Sequence, residues 1–558
     1  MASQSLSRPE RATVRRHVFK ACEGCRQQKT RCSGESPCAR CLKLSLPCII
    51  RSVARQRRDL PRDSAKEECP NALAMALKSV RIRNQTTGKT AVYGPTSTVA
   101  LLHLIARQSR ANPSPQIGPL PAVIDSELSI DAFNYDPILA PPYQCSLALE
   151  GSLAPPLCMT SIPNNILQFF LERYVATAWK LLPVQSPTQL QAVYTSSYRA
   201  LSANSAPPIL YPIILYQLAM GSLCTVQGDL AHMLAQESEL FVSAGGYLSD
   251  ELELQLNILM IILVYAQYHS EIGNFDKAYS MLGHIAGRVY STGLHIEPRS
   301  AAVNWLLRVL VSQESCVCVA LGRPPILNPN LTVSSEGQPA DPDFATGLFS
   351  IIKSILSANY EAKTTFDETC HMMWSTHSQL MSFWEEQEPI LQFAHASPSS
   401  PRYVAERMSL DMILYQYAVI ANFKPFLLYL GYSHIVNREG KSPAASPETE
   451  YSTTDKKDPM VEKALEIILA SAKNIISMIF GICQRGTVAK DLPMNSFFLQ
   501  TACVSLVAYG LWCGDPTVVW ESIDTGIKCL EELQYQRVGA MRLAAVRACI
   551  DQSGLRRD

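Results

Sequence analysis

The chain has 558 residues, 47% of them apolar and 18% charged, with 49 basic and 49 acidic side chains. A chain of this length and apolar content can bury a large core. The zero net charge hides a polarity, because residues 1–60 hold 14 Lys and Arg against 4 Asp and Glu, and the remainder holds 35 against 45.

In chain order, the opening MASQSLSRPERATVRR has no apolar core of a signal peptide, so an oxidising destination is not expected. Six of the 18 cysteines then crowd into 27 residues: Cys22, Cys25, Cys32, Cys38, Cys41 and Cys48. Each half reads C-x2-C-x6-C, and five residues separate the halves. Thiolates at this spacing form a soft sulfur cage suited to zinc. Two tetrahedral ions need eight ligand positions, which six sulfurs supply only when two of them bridge. The symmetric layout points to Cys22 and Cys38 as the bridges. Three disulfides would need an oxidising compartment, and a redox C-x-x-C comes singly rather than as a doubled array among arginines. A finger-type site usually includes histidine, and His17 is the only one nearby. With every position filled by sulfur, the expected two Zn²⁺ are structural, and no catalytic residue is expected. About 30 residues carry too little apolar surface to fold alone, so metal binding supplies the folding free energy.

Positive charge flanks the cage. Arg15, Arg16 and Lys20 precede it, and Arg51, Arg55, Arg57 and Arg58 follow it. Both runs suit phosphate binding and nuclear import, so double-stranded DNA is the expected partner and the nucleus the expected location.

The segment CEGCRQQKTRCSGESPCARCLKLSLPC resembles the Zn2Cys6 binuclear cluster of fungal transcription factors. All six ligand positions match, and Pro37 stands before the fourth cysteine as a loop proline does in that family. The basic run Arg26, Gln28, Lys29, Arg31 matches in kind, with Gln28 in place of the usual Arg or Lys. The resemblance implies major-groove recognition of CGG-like triplets through the end of a first short helix. Lys29 would then meet base edges, with Arg26 and Arg31 nearer phosphates; Gln28, Lys43 and the upstream Arg15, Arg16 and Lys20 complete the candidate DNA contacts. The module is expected over 17–52.

Residues 53–162 read as a partly disordered linker with short helices. Residues 71–82, NALAMALKSVRI, would make one short helix, and Ser97 would cap another running to about Arg107. No sustained heptad follows the cage, so a homodimer through the linker has no support, and pairing stays open. The acid–aromatic stretch 123–144 suits either an activation segment that recruits transcription machinery or an ordinary packed loop.

From 163 onward helical spacing recurs, as in Leu167, Phe170, Leu171 and Tyr174, and again in Ala278, Met281, Leu282 and Ile285. The body is expected to run over 163–435, a polar linker over 436–458, and further helices over 459–551. The longest apolar run, Ile258 to Ala266, is about half a membrane span, so no membrane partner is expected. LQFFLERYVATAWKLLPV, KAYSMLGHIAGRVYSTGLH and ALGRPPIL are similar to segments of the fungal transcription-factor regulatory (middle homology) domain. No set of titratable residues in the body converges on a catalytic motif. The expected fold class is therefore mostly α: a small N-terminal Zn2Cys6 module and a large all-α regulatory domain.

The expected function is sequence-specific DNA binding that regulates RNA polymerase II genes. Activation is expected from family habit, and a secondary-metabolite gene cluster is the target class that the chain length favours. The alternatives are a regulator whose body binds a small metabolite and, more distantly, a helical enzyme with a zinc targeting module.

Overall fold

The computed structural model describes residues 22, 25, 28–30, 32–33, 37–44 and 48 of the cysteine-rich segment. Beyond it the described residues are 75–83, 90–111, 158–225, 229–244, 252–296, 299–328, 331, 344–361, 365–396, 402–439, 458–513 and 516–555. The chain divides into two units, Met1–Glu68 and Cys69–Asp558. The acid–aromatic stretch 123–144 lies outside the described residues.

The second unit begins with a two-stranded antiparallel hairpin, β1 (Val80–Arg83) and β2 (Thr90–Tyr93), in which Val80 pairs with Tyr93 and Arg83 with Thr90. The sequence suggested one helix over 71–82. Instead, Met75 and Ala76 form a brief helical turn and strand follows. Val80 and Ile82 alternate with Arg81 and Arg83, a period of two that suits a strand with one covered face. Ile82 is buried accordingly.

A strap, residues 94–97, leads from β2 into α2 (Thr98–Ala111), where the Ser97 hydroxyl accepts the Val99 N–H at 3.2 Å as its capping role predicts. The helices that follow are α3 (Cys158–Ser161), α4 (Asn164–Ala176), α5 (Ala178–Leu181), α6 (Pro187–Ser202), α7 (Tyr211–Leu223) and α8 (Asp229–Ala244). After these come α9 (Leu252–Glu271), α10 (Phe275–Ser291), α11 (Ala301–Leu321), α12 (Phe344–Glu361), α13 (Phe366–Ala396) and α14 (Arg402–Glu439). The last are α15 (Pro459–Gln484), a 3₁₀ turn (Val488–Asp491), α16 (Met494–Cys513), α17 (Thr517–Glu532) and α18 (Arg537–Ser553). The mostly α class is thus borne out.

Local chemistry explains many of these boundaries. Ser186 and Gln189 form a capping box at α6, with Pro187 at its first turn. Asn274 caps α10 and Ser300 caps α11 through the backbone N–H groups of Lys277 and Val303. Asp458 does the same for α15 through Met460. On α10 the buried residues Ala278, Leu282, Ile285, Ala286 and Val289 make one stripe, as the spacing requires. Leu167, Phe170, Leu171 and Tyr174 do so on α4. Helix α7 is buried from Tyr211 to Ser222, and its Gly221 lies so close to α4 that a Cβ would sit 1.9 Å from the Phe170 carbonyl oxygen.

The sequence reading found no stretch of membrane length, but three described helices are long and apolar enough to cross one, by length and composition alone: α11, α15 and α16. Most of α11 and α16 is buried inside the body. Their apolarity therefore serves a core two or more helices thick. Helix α15 is two-faced, burying Val461, Leu465, Ile468, Ile475 and Ile479 while exposing Glu462, Lys463, Glu466 and Asn474.

The strap is held to the body by polar bonds. Gly94 N–H donates to the Leu321 carbonyl at 2.9 Å, and the Thr96 hydroxyl to the Val319 carbonyl at 3.0 Å. Arg323 Nε reaches the Val92 carbonyl at 2.9 Å. Lys424, which is completely buried on α14, places Nζ 2.7 Å from the Thr96 carbonyl and 3.2 Å from Thr98 Oγ1. Gly322 ends α11 with φ +64, and a Cβ there would fall 2.6 Å from the Gly94 backbone. Glu314 on α11 accepts the Ile326 and Leu327 N–H groups, both at 2.7 Å, which pins the Gly322-Arg323-Pro324-Pro325 corner.

Candidate metal centre and nucleic-acid interface

The first unit is built around six sulfurs. Cys22, Cys25, Cys32, Cys38 and Cys41 are buried and Cys48 is half-buried, in a segment too short to hide them behind a conventional core. Cys38 follows Pro37 in an extended conformation and caps α1 (Ala39–Lys43), with its Sγ accepting the Cys41 N–H at 3.5 Å. That backbone donor is the largest influence that, with the facing thiols of Cys41, Cys22 and Cys25, draws the Cys38 thiol down to about 6. The two halves repeat one geometry. Cys22 N–H points at Cys32 Sγ at 3.5 Å, and Cys38 N–H at Cys48 Sγ at 3.2 Å, each across ten residues.

The sulfurs fall into two groups of four, Cys22, Cys25, Cys32, Cys38 and Cys22, Cys38, Cys41, Cys48, each with its ligand atoms within 4.8 Å of one another. Cys22 and Cys38 belong to both groups. Sγ–Sγ separations are 3.7 Å for Cys22–Cys38, 3.6 Å for Cys22–Cys41 and 3.7 Å for Cys25–Cys38. A tetrahedron with zinc–sulfur bonds of about 2.3 Å has edges of about 3.8 Å. The donor set therefore fits two zinc ions with two shared sulfurs, in the arrangement that the doubled spacing suggests.

The surface beside the cage carries polar and basic groups. Past Cys25 the chain turns, with Thr30 N–H bonded to the Cys25 carbonyl at 2.9 Å and Lys29 in the left-handed region at φ +50. Gln28, Lys29 and Thr30 are exposed, as is Lys43 in the last turn of α1. Arg40 was not among the residues singled out from sequence, yet it fixes this turn. Its Nη2 donates to Gln28 Oε1 at 2.7 Å and its Nη1 to Thr30 Oγ1. One guanidinium thereby ties the second half of the module to the basic turn of the first. A lone Arg before Cys41 carries no signal of this, because the contact crosses the pseudo-repeat. Of the other candidate DNA contacts, Arg15, Arg16, Lys20, Arg26 and Arg31 lie outside the described residues.

Residues 20–58 match the family described as the fungal Zn(2)-Cys(6) binuclear cluster domain, a DNA-binding module that holds two zinc ions. The chain is also similar to xylanolytic transcriptional activators xlnR of several aspergilli. Identity is 38% over 63 residues for Aspergillus flavus, 41% over 56 for Aspergillus clavatus and 39% over 56 for Aspergillus niger. These alignments cover 10 or 11% of this chain and 5 or 6% of each relative, so the likeness is confined to a short stretch of both. No solved structure matches the chain.

Proposed function

We propose that the chain is a nuclear, sequence-specific DNA-binding regulator of RNA polymerase II genes, acting as an activator. The observation that carries this reading is the pair of overlapping sulfur tetrads beside an exposed basic turn. In it Cys22 and Cys38 bridge the two zinc ions, Cys25 and Cys32 complete one site, and Cys41 and Cys48 complete the other. Zinc supplies a rigid crosslink where apolar burial is too small to hold a fold. Lys29 is the base-edge contact, presented by the left-handed turn, and Gln28, steadied by Arg40, lies beside it. Arg26, Arg31, Lys43, Arg15, Arg16 and Lys20 meet phosphates. CGG-like triplets are the expected half-site, read by a monomer or a homodimer.

The helices over 163–435 and 459–551 act as the fungal transcription-factor regulatory domain, and the acidic stretch 123–144 recruits transcription machinery. The relatives' printed name as activators supports the sign of regulation. A biosynthetic gene cluster is the proposed target class.

Selection from a randomised duplex pool, with the zinc-loaded chain at fixed near-physiological salt, tests this reading. Fixed salt matters because phosphate contacts alone let any basic segment bind. CGG-like triplets at one spacing support the proposal and reveal monomer or dimer; recovery of no motif overturns it.

A second reading, in which the helical body receives a small molecule that controls the DNA-binding end, is favoured by an apolar cavity at the foot of the strap.

A further inference from the structure

Cysteines gather a second time in the helical body, where α15, α16 and α17 bring Cys483, Cys503 and Cys529 close to one another. Gly526 shows how tightly these helices pack. A Cβ on it would fall 2.5 Å from Cys503 Sγ on α16 and 3.4 Å from Ile476 Cδ1 on α15. One turn further along α17, Cys529 meets the last turn of α15, and its thiol is hydrogen-bonded to the Cys483 thiol. Both thiols are free. The step from that contact to a sulfur–sulfur bond of about 2 Å is a side-chain movement rather than a helix rearrangement.

The pair has an outer and an inner member. Cys483 directly precedes the exposed residues Gln484, Arg485 and Gly486, and its thiol also meets the carboxylate of Glu532, an exposed residue at the end of α17. Cys529 is 1% exposed and has the wholly buried Cys503 on its inner side. The hydrogen bond from Cys529 holds the Cys483 thiol below its usual range, against the Glu532 carboxylate, while the same contact and burial push Cys529 up. An oxidant arriving from solvent therefore meets Cys483 first, and Glu532 offers its proton a path to water.

We propose that Cys483 and Cys529 form a redox-active dithiol, which hydrogen peroxide converts to a disulfide that staples α15 to α17. Cys483 sulfur attacks one peroxide oxygen, the O–O bond breaks, and water leaves with the thiol proton, giving a sulfenic acid. Cys529 sulfur then attacks the Cys483 sulfur and displaces hydroxide, which takes the Cys529 proton. The two thiols give up two electrons and two protons, and one peroxide becomes two waters. Reduction by an external thiol reverses the bond. The inference is independent of the DNA-reading function.

The test treats the zinc-loaded full chain with hydrogen peroxide, blocks the remaining thiols with iodoacetamide and maps tryptic peptides without reduction. Cys483 and Cys529 fall in separate peptides, 474–485 and 529–537, each with no other cysteine, so the cage thiols cannot imitate the pair. The expected result is these two peptides joined, at least tenfold over any other pairing of either, and separated again by dithiothreitol. In Cys529→Ser, Cys483 should take the sulfenic-acid probe dimedone at least tenfold more than Cys529 does in Cys483→Ser at the same peroxide dose. Both peptides recovered with alkylated thiols, or Cys529 joined to Cys503 instead, would overturn the pair. Equal dimedone labelling in the two variants would overturn the order of attack. If either variant does not fold, the wild-type peptide map decides alone.

Discussion

Lys424 offers the sharpest physical test of how the strap is held. Its side chain is wholly buried on α14, its Nζ bonds the Thr96 carbonyl and Thr98 Oγ1, and the Tyr417 ring lies 6.0 Å away. Burial lowers its pKa to about 7, far below the usual lysine range. Between that value and the unfolded lysine's pKa of about 10.4, the unfolded chain holds one proton more than the folded chain at this site. Stability from Lys424 therefore rises with pH through this window, at about 1.4 kcal/mol per pH unit. Below pH 7 both states are protonated and the slope vanishes. Lys424→Met keeps an unbranched apolar stem and removes the titration. Other groups also titrate: the Glu271 carboxyl near 8, and the buried thiols of Cys224, Cys316 and Cys503, which burial pushes up to about 12. They are common to both proteins and cancel in the difference. Urea unfolding of both proteins at pH 7.5, 8.0 and 8.5 should show the wild type gaining about 1.2 kcal/mol on the variant across that unit. A difference that does not change with pH would refute the buried, uncharged lysine and the argument built on it.

Gly322→Ala should destabilise the body by about 3 kcal/mol in urea unfolding. About 1 kcal/mol comes from the left-handed φ, and the rest from displacing the strap and losing the Gly94 and Thr96 bonds to α11. Cys22→Ser should lose both zinc ions per chain by elemental analysis and with them specific DNA binding, whereas Cys48→Ser, a member of one tetrad, should keep the larger share of its zinc. Two zinc ions retained in Cys22→Ser would contradict the bridging assignment. Lys29→Ala should leave zinc content unchanged and weaken specific DNA binding by about 1–3 kcal/mol in a titration at fixed salt. Arg40→Ala should also retain zinc but blur discrimination at the base beside the proposed Lys29 contact, because Gln28 and Thr30 lose their tether.

What was legible in the sequence was whatever a fixed spacing imposes. The sulfur cage could be read because two and six intervening residues dictate where thiolates stand, and the tetrads centred on Cys22 and Cys38 follow from counting ligand positions. The helical body could be read because Leu167 to Tyr174 and Ala278 to Ile285 repeat with the period of a buried helix face. Contacts between distant positions escaped. The clamp of Gly94 and Thr96 on Leu321 and Val319 joins residues more than 220 apart, and no local pattern marks it. Lys424 was invisible for the same reason: a lysine in a helix ordinarily lies at the surface, and only the fold shows this one buried. The hairpin Val80–Tyr93 was misread because an apolar run of a few residues does not distinguish strand from helix.

Sharing Cys22 and Cys38 has a consequence for how metal enters and leaves. An ion seated in the first tetrad fixes two of the four sulfurs that the second ion needs, so the first binding event prepays much of the ordering cost of the second. Against that gain, two dications sharing the same thiolates repel each other, so the spacing of the two zinc-binding steps in a titration measures which effect dominates. If the two steps merge, the proposed reading of DNA would follow zinc supply as a threshold; if they separate, it would follow in two stages.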